Sequence, residues 1–343
     1  MLSDLPSDLP SNLLADFEIA LRAVAWQHLP NAYQSESSQI ADILLLFWKL
    51  SPEKDQNLQG SPTELEFKKN KKVEKVFNKN FNELASLLVH QGTIYEASVA
   101  AIPFLTRLIW HLEKPQAKEI VELLYAFSKG STYYLQHQEI FESWGHDYQK
   151  GEYAEKVVQE KALLAALKVR FEQTFAALMF LWESPKGYDW IGLLSLAILH
   201  LLEKGASFSE TYLFWLEKGQ KSAIWHNPDY LDFAPAKTLR LYLLFVFGKI
   251  KELFPEKAHF LESLVPMLAQ NFNQNPMQWQ QEALVLCLID PTKAETFVSP
   301  FANFWKGVLP DMKKNLDADF QYFCFYEGIE NAIEARIFPQ FEK

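Results

Sequence analysis

The chain has 343 residues, 49% hydrophobic and 22% charged, which is the balance of a folded protein long enough to bury a large core. Its 12 glycines are about half the usual share of roughly 7%, while 27 Phe, 13 Tyr and 10 Trp stand at the other extreme; glycine-rich nucleotide-binding folds and turn-rich sandwiches are disfavoured, and helices are expected. Lys plus Arg total 33 against 43 Asp plus Glu, a net charge of -10, so phosphate repels the chain on average and general nucleic-acid binding is not expected.

In chain order, the opening MLSDLPSDLPSN carries acids and prolines where a secretory leader needs a basic start and an apolar run. Apolar residues then recur at helical spacing, and no period-two strand stands out. The spacing predicts helices at 12–28, 38–50, 65–90, 94–112, 116–129, 153–168, 170–183, 189–204, 209–218, 235–251, 256–271, 277–289 and 317–334. Nothing breaks the pattern from Tyr153 to Glu183, so one long helix fits that span as well as two.

Between Ser51 and Asn80 the chain is at its most polar, with six lysines from Lys68 to Lys79 against the single acid Glu74, the pattern of a solvated face or of a surface for an acidic or phosphorylated partner. At Gly92-Thr93 the expectation is a helix end followed by a new start, with Thr93 and Glu96 as a capping box and Pro103 kinking the helix that follows. Residues 131–152 form a long connection rich in Tyr, Gln and His, a length that favours function. Ile191 to Leu202 is uncharged but too short to cross a bilayer, and suits a buried helix. Cys287 and Cys324 sit in apolar runs and read as buried thiols in a reducing compartment.

So many helices need stacked pairs, each burying a face against the next. A faint repeat agrees: Phe104-Leu105 with Leu108-Ile109 recurs as Phe260-Leu261 with Leu264-Val265. The fold expected is all-α, an α-α superhelix of about six to seven helical hairpins forming one domain over 1–343, with 291–343 as an irregular C-terminal cap.

One segment is more particular. His90-Gln91-Gly92-Thr93-Ile94-Tyr95-Glu96-Ala97, followed by Ala100-Ala101-Ile102-Pro103-Phe104-Leu105, resembles a segment of a group of bacterial HEAT-repeat proteins. Trp26, Asn31-Ala32-Tyr33 and Ile40 to Leu46 look like that group's first hairpin; Gln34 and a serine-rich run replace its usual Gly and Pro. The resemblance covers roughly residues 20 to 200. It implies an α-solenoid, and binding in place of catalysis, since the group brings no catalytic motif to transfer.

Catalytic and metal signatures are missing. There is no His-Glu-x-x-His, no Cys-x-x-Cys, no Gly-x-Gly and no Gly-x-Ser-x-Gly. Around Trp144, His137, Glu139, Glu142, His146 and Asp147 cluster in sequence, but His137 has no ligand one turn on, and they read as loop polars. Of the tryptophans, Trp26, Trp48, Trp110, Trp182, Trp190 and Trp215 read as core; Trp144, Trp225 and Trp305 lie near connections, where exposed rings serve as interface anchors. The function expected is a cytoplasmic protein-binding scaffold, without cofactor, metal, nucleic acid or membrane. His90, Gln91, Tyr95, Trp144 and His146 are its candidate contact residues. The alternative is a hydrolase-like enzyme with dispersed His and Glu residues in the concave groove.

Overall fold

The computed structural model describes residues 12–33, 37–50, 64–145, 151–183, 187–297, 299–301, 303–305 and 307–308. The protein is all-α. Among the described residues the only strands are the two-residue β1 (Val89–His90) and β2 (Thr93–Ile94). The described residues gather into two compact units, one running up to Met179 with His200–Tyr212 added, the other comprising Phe180–Leu199 and the chain from Leu213.

The first unit holds α1 (Asn12–Ala23), α2 (Ser38–Leu50), α3 (Glu64–Leu88), α4 (Glu96–His111), α5 (Lys114–Lys129), α6 (Tyr133–Gln136), α7 (Gln138–Ser143) and α8 (Gly151–Ala177). Two helix pairs, α2/α3 and α4/α5, lie together so that α2 meets α4 and α3 meets α5, while α8 packs on α4. The reason is the apolar stripe of α4: Ala97, Ala101, Ile102, Leu105, Leu108 and Ile109 are all buried, as their three- and four-residue spacing predicts. Each large aliphatic side chain removed from water in this way contributes about 1.5–3 kcal/mol. Thr106 ties α4 to α8 through a 3.0 Å hydroxyl–hydroxyl hydrogen bond to Thr174. Pro103 lies inside α4, which runs unbroken from Glu96 to His111.

Residues 151–177 form a single helix, which decides between the two readings of that span; a 3-10 turn at Met179–Glu183 follows. Two other expectations are corrected. The segment read as one helix over 256–271 is two, α12 (His259–Glu262) and α13 (Val265–Gln274), because Pro266 suits a first turn and not an interior. The helix read over 12–28 stops at Ala23, and Trp26–His28 is a 3-10 turn. The helix expected at 317–334 and Cys324 lie outside the described residues.

The second unit contains most of α9 (Tyr188–Glu203) and α10 (Glu210–Gln220), then α11 (Ala234–Leu253), α12, α13, α14 (Pro276–Ile289) and α15 (Ala294–Phe297). The apolar run Ile191 to Leu199 is buried, and Ser195, which back-bonds to the Ile191 carbonyl, accepts the Trp215 indole N–H at 3.0 Å. α9 meets α11 at Gly192, where a Cβ would stand 2.5 Å from the Tyr242 ring. Trp225 and Trp305, placed near connections by sequence, are buried: their indole N–H groups donate to the Gly219 and Phe297 carbonyls. Trp110, read as core, is 40% exposed instead. In the C-terminal cap region, Phe297 and Trp305 pack on Phe272 of α13.

Burial also sets the alkaline limit of the fold. It pushes the Cys287 thiol from 9.0 up to about 12 and the Tyr125 phenol from 10.0 up to about 12, with Asp290 and Glu203 respectively adding to the rise, and it raises Tyr212 as well. In the unfolded chain these groups ionise first, so their contribution is complete below pH 9 and is lost as pH climbs toward 12. The Lys204 amine, which burial lowers to about 8, works the other way between about pH 8 and 10.5, so urea midpoints are expected to fall only above about pH 10.5, where the buried thiol and phenols dominate. Cys287 is expected to resist a thiol reagent at pH 8 until denaturant is added; labelling as fast as a free thiol in the native state would contradict this.

Candidate functional site

The local chemistry of Val89 to Tyr95 is a hairpin and not a helix-to-helix stop. Val89 pairs with Ile94 and His90 with Thr93, across a turn in which Gln91 (φ 51) and Gly92 (φ 79) both take the left-handed region. A two-residue hairpin turn of the I′ kind requires that of both central residues. The expected Thr93–Glu96 capping box is therefore corrected: Thr93 is a strand residue, and α4 starts after Tyr95. The Tyr95 N–H donates to Ser98 Oγ at 2.8 Å, and that hydroxyl donates to the Leu88 carbonyl at 2.5 Å, so one serine ties the end of α3 to the start of α4.

Neighbouring chain holds the hairpin on both sides. The Ser131 N–H donates to the Gly92 carbonyl and the Ile94 N–H to the Ser131 carbonyl, at 2.9 and 2.8 Å. Gly130 lies so close that a Cβ there would stand 2.6 Å from the Ile94 side chain. On the other side, Ala97 N–H donates to the Pro30 carbonyl and Ala32 N–H to the Leu87 carbonyl. Buried Asn31 shapes that segment, accepting from Tyr33 N–H and donating to Ser37. The Tyr33 ring, 55% exposed, lies 5.4 Å from the His90 ring. The two segments that carry the sequence resemblance thus meet at this hairpin.

Of the candidate contact residues, His90, Gln91 and Tyr95 come together here. Gln91 is exposed, and His90 and Tyr95 are half-buried. Burial raises the Tyr95 phenol, a side-chain hydrogen bond with Thr93 opposes the rise, and the nearby Tyr33 adds to it. Trp144 belongs to the same unit but not to the hairpin: it follows α7 and is 67% exposed. His146 lies outside the described residues.

Below the hairpin, helix ends are tied by lysines. Lys204 Nζ donates to the carbonyls of Ser128 (2.8 Å) and Gly130 at the end of α5, and Lys168 Nζ donates to the Lys204 carbonyl at 2.7 Å. Cations at these C-termini satisfy orphan carbonyls and oppose the helix dipoles. Burial pushes the Lys204 amine down to about 8, with Lys168 and Lys129 adding to the fall and Glu203 opposing it. Alongside, His200 Nδ1 lies 3.1 Å from Glu203, and His200 Nε2 3.5 Å from the Tyr125 hydroxyl.

Among the described residues no group of three or more His, Cys, Asp or Glu side chains is placed to hold a metal ion. In the polar connection, His137 Nδ1 lies 2.8 Å from the Tyr133 carbonyl, so it must be the protonated donor, and Glu142 accepts from Gln138. Sequence spacing missed Tyr33, Gly130, Ser131 and Lys204 as parts of this assembly. Tyr33 carried a signal as a member of the Asn31-Ala32-Tyr33 run, and Ser131 as the start of the 131–152 connection. Comparison with protein-family models, curated proteins and solved structures finds no match to the chain.

The Gln91 backbone gives a direct test of the turn. A non-glycine residue in the left-handed region costs roughly 1–2 kcal/mol, and asparagine or glycine relieves part of that. Gln91→Gly is expected to stabilise the protein by about 0.5–1 kcal/mol in urea unfolding; a loss of stability would mean that Gln91 makes a contact outweighing its strain.

Proposed function

We propose that this chain is a cytoplasmic helical-repeat protein, a solenoid of HEAT-like hairpins, that binds another protein through the edge carrying His90, Gln91 and Tyr95, with Trp144 and His146 as further contacts. The observation that carries the reading is the tip itself. Gln91 is held strained and exposed on a turn tied to Ser131, with the exposed Tyr33 ring beside His90. Strained backbone persists where surrounding structure over-determines it, and such positions collect at functional sites. Exposed aromatic rings on a rigid support are the common anchors of interfaces.

The stacking of α2/α3 on α4/α5, like helix on like, supports the solenoid. No described helix is long and apolar enough to cross a membrane, and the net charge of -10 speaks against nucleic acid as the partner. The buried, free Cys287 fits a reducing compartment.

Affinity capture of the tagged full chain from its own cells tests the proposal. A protein partner is expected in near-equal amount. A chain carrying His90→Ala with Gln91→Ala, and a second carrying Trp144→Ala, are each expected to lose at least nine-tenths of it while keeping their helical circular dichroism. Full retention of the partner by both variants, or recovery of the bare chain under every condition, would overturn the reading.

A further inference from the structure

We infer that Lys204 is a modification site, an amine placed to take an acyl group from an activated acyl donor such as an acyl phosphate or a thioester. The inference stands apart from the binding role proposed above. Lys204 follows α9 directly and is half-buried, between the exposed Glu203 and Gly205. Its Nζ meets the buried carbonyls of Ser128 and Gly130, and no carboxylate among the described residues forms an ion pair with it. All of these groups belong to the first unit.

Two acceptors suit a neutral amine. An ammonium carries three N–H donors, whereas the neutral group carries two and a lone pair. With both N–H groups engaged by the two carbonyls, the lone pair is left for an electrophile.

The surroundings favour that neutral form. α8 brings Lys168, whose Nζ donates to the Lys204 carbonyl at 2.7 Å. α5 brings Lys129 with the Tyr125 ring beneath it, and the end of α9 brings Glu203, itself 3.1 Å from His200 Nδ1. Burial dominates and pushes the amine down to about 8; Glu203 opposes the fall, and Lys168 and Lys129 add to it. Desolvation and a neighbouring cation are the means by which a lysine becomes a nucleophile. At pH 7.5 about a quarter of such amines are neutral, against about one in a thousand ordinary lysines. Nucleophilicity falls with basicity, which leaves a rate advantage on the order of tenfold.

In the step itself the Nζ lone pair forms the N–C bond to the acyl carbon. The C–O or C–S bond breaks, its electrons leave on phosphate or thiolate, and the surplus amine proton passes to that leaving group. The product amide has one N–H for two buried carbonyls. Acylation therefore withdraws a donor from the end of α5, beside the Ser131 backbone that holds the hairpin.

The test treats the full chain with limiting acetyl phosphate in one arm and acetyl-coenzyme A in the other, and follows each lysine by peptide mass spectrometry. At pH 7.5 Lys204 is expected to be acetylated at least fivefold faster than the exposed Lys161 and Lys221 by at least one donor, which identifies the source. Its rate should level off above about pH 9, where the exposed lysines still gain. Lys168→Gln, which removes a neighbouring cation, is expected to slow Lys204 at least twofold, and Glu203→Gln to quicken it at least twofold, with circular dichroism unchanged in both. Lys204 reacting no faster than the two exposed lysines with either donor would overturn the inference. So would a rate that keeps rising tenfold per pH unit above pH 9, or two folded variants that fail to move the rate in opposite directions.

Discussion

Arg240→Ala is expected to cost about 3–5 kcal/mol and to leave the protein partly unfolded at 37 °C. Arg240 is fully buried in α11, and its guanidinium has no access to water. Nε donates to Glu282 at 2.7 Å, Nη1 to the carbonyls of Ile224 and Tyr230 at 3.1 Å each, and Nη2 to the Leu231 carbonyl at 3.2 Å. The group also lies 4.9 Å from the centre of the Trp279 ring. Truncation strands a buried carboxylate and three carbonyls together, each of which costs far more unpaired than its hydrogen bond contributes when made. Arg240→Lys is expected to rescue little, because one ammonium cannot span the same four acceptors. Replacing both charges, as Arg240→Met with Glu282→Leu, removes the stranded charge and is expected to recover part of the loss. Urea unfolding followed by circular dichroism reads all three, and a cost below 1 kcal/mol for Arg240→Ala would show that the loop at 224–231 is held by other means.

Gly248→Ala is the second large effect, and here two opposed terms must be weighed. Alanine is a better helix former than glycine by about 1 kcal/mol, which by itself would stabilise α11. Gly248, however, is where α11 meets α14: a Cβ would stand 1.8 Å from Cγ2 and 2.9 Å from Cβ of Ile289. A rotamer change can move Cγ2 but not Cβ, so the helices must separate. Overpacking of that kind costs about 1–3 kcal/mol or more and outweighs the propensity gain. Net destabilisation of at least 1 kcal/mol is expected, relieved when Ile289→Ala is added to the same chain. The double-mutant cycle should give a coupling of opposite sign to the single losses; simple additivity would mean that the helices do not touch at Gly248.

Most helices were legible from spacing because their buried stripes are long. α4 shows one stripe over four turns, and residues 151–177 stay helical with no Pro or Gly after Gly151 to stop them. The hairpin was not legible, for a physical reason. Gly92 was read correctly as a left-handed residue, but that conformation closes a helix or turns a hairpin equally well. Two-residue strands leave no alternation to read. The contact residues His90, Gln91 and Tyr95 could be nominated because they share one short segment. Tyr33 and Ser131 come to the same place from far along the chain, and no local pattern announces such pairings. Trp225 and Trp305 were misplaced because nearness to a connection says nothing about whether an indole N–H finds a buried carbonyl.

The measurement that tests the central claim most directly is amide hydrogen exchange of the full chain, free and in complex with the captured partner. The binding reading predicts at least tenfold slower exchange on complex formation at residues 89–95 and 131–144, and unchanged exchange through the buried helix α11. Protection confined to the second unit, with the hairpin and the 131–144 connection exchanging as in the free chain, would contradict it.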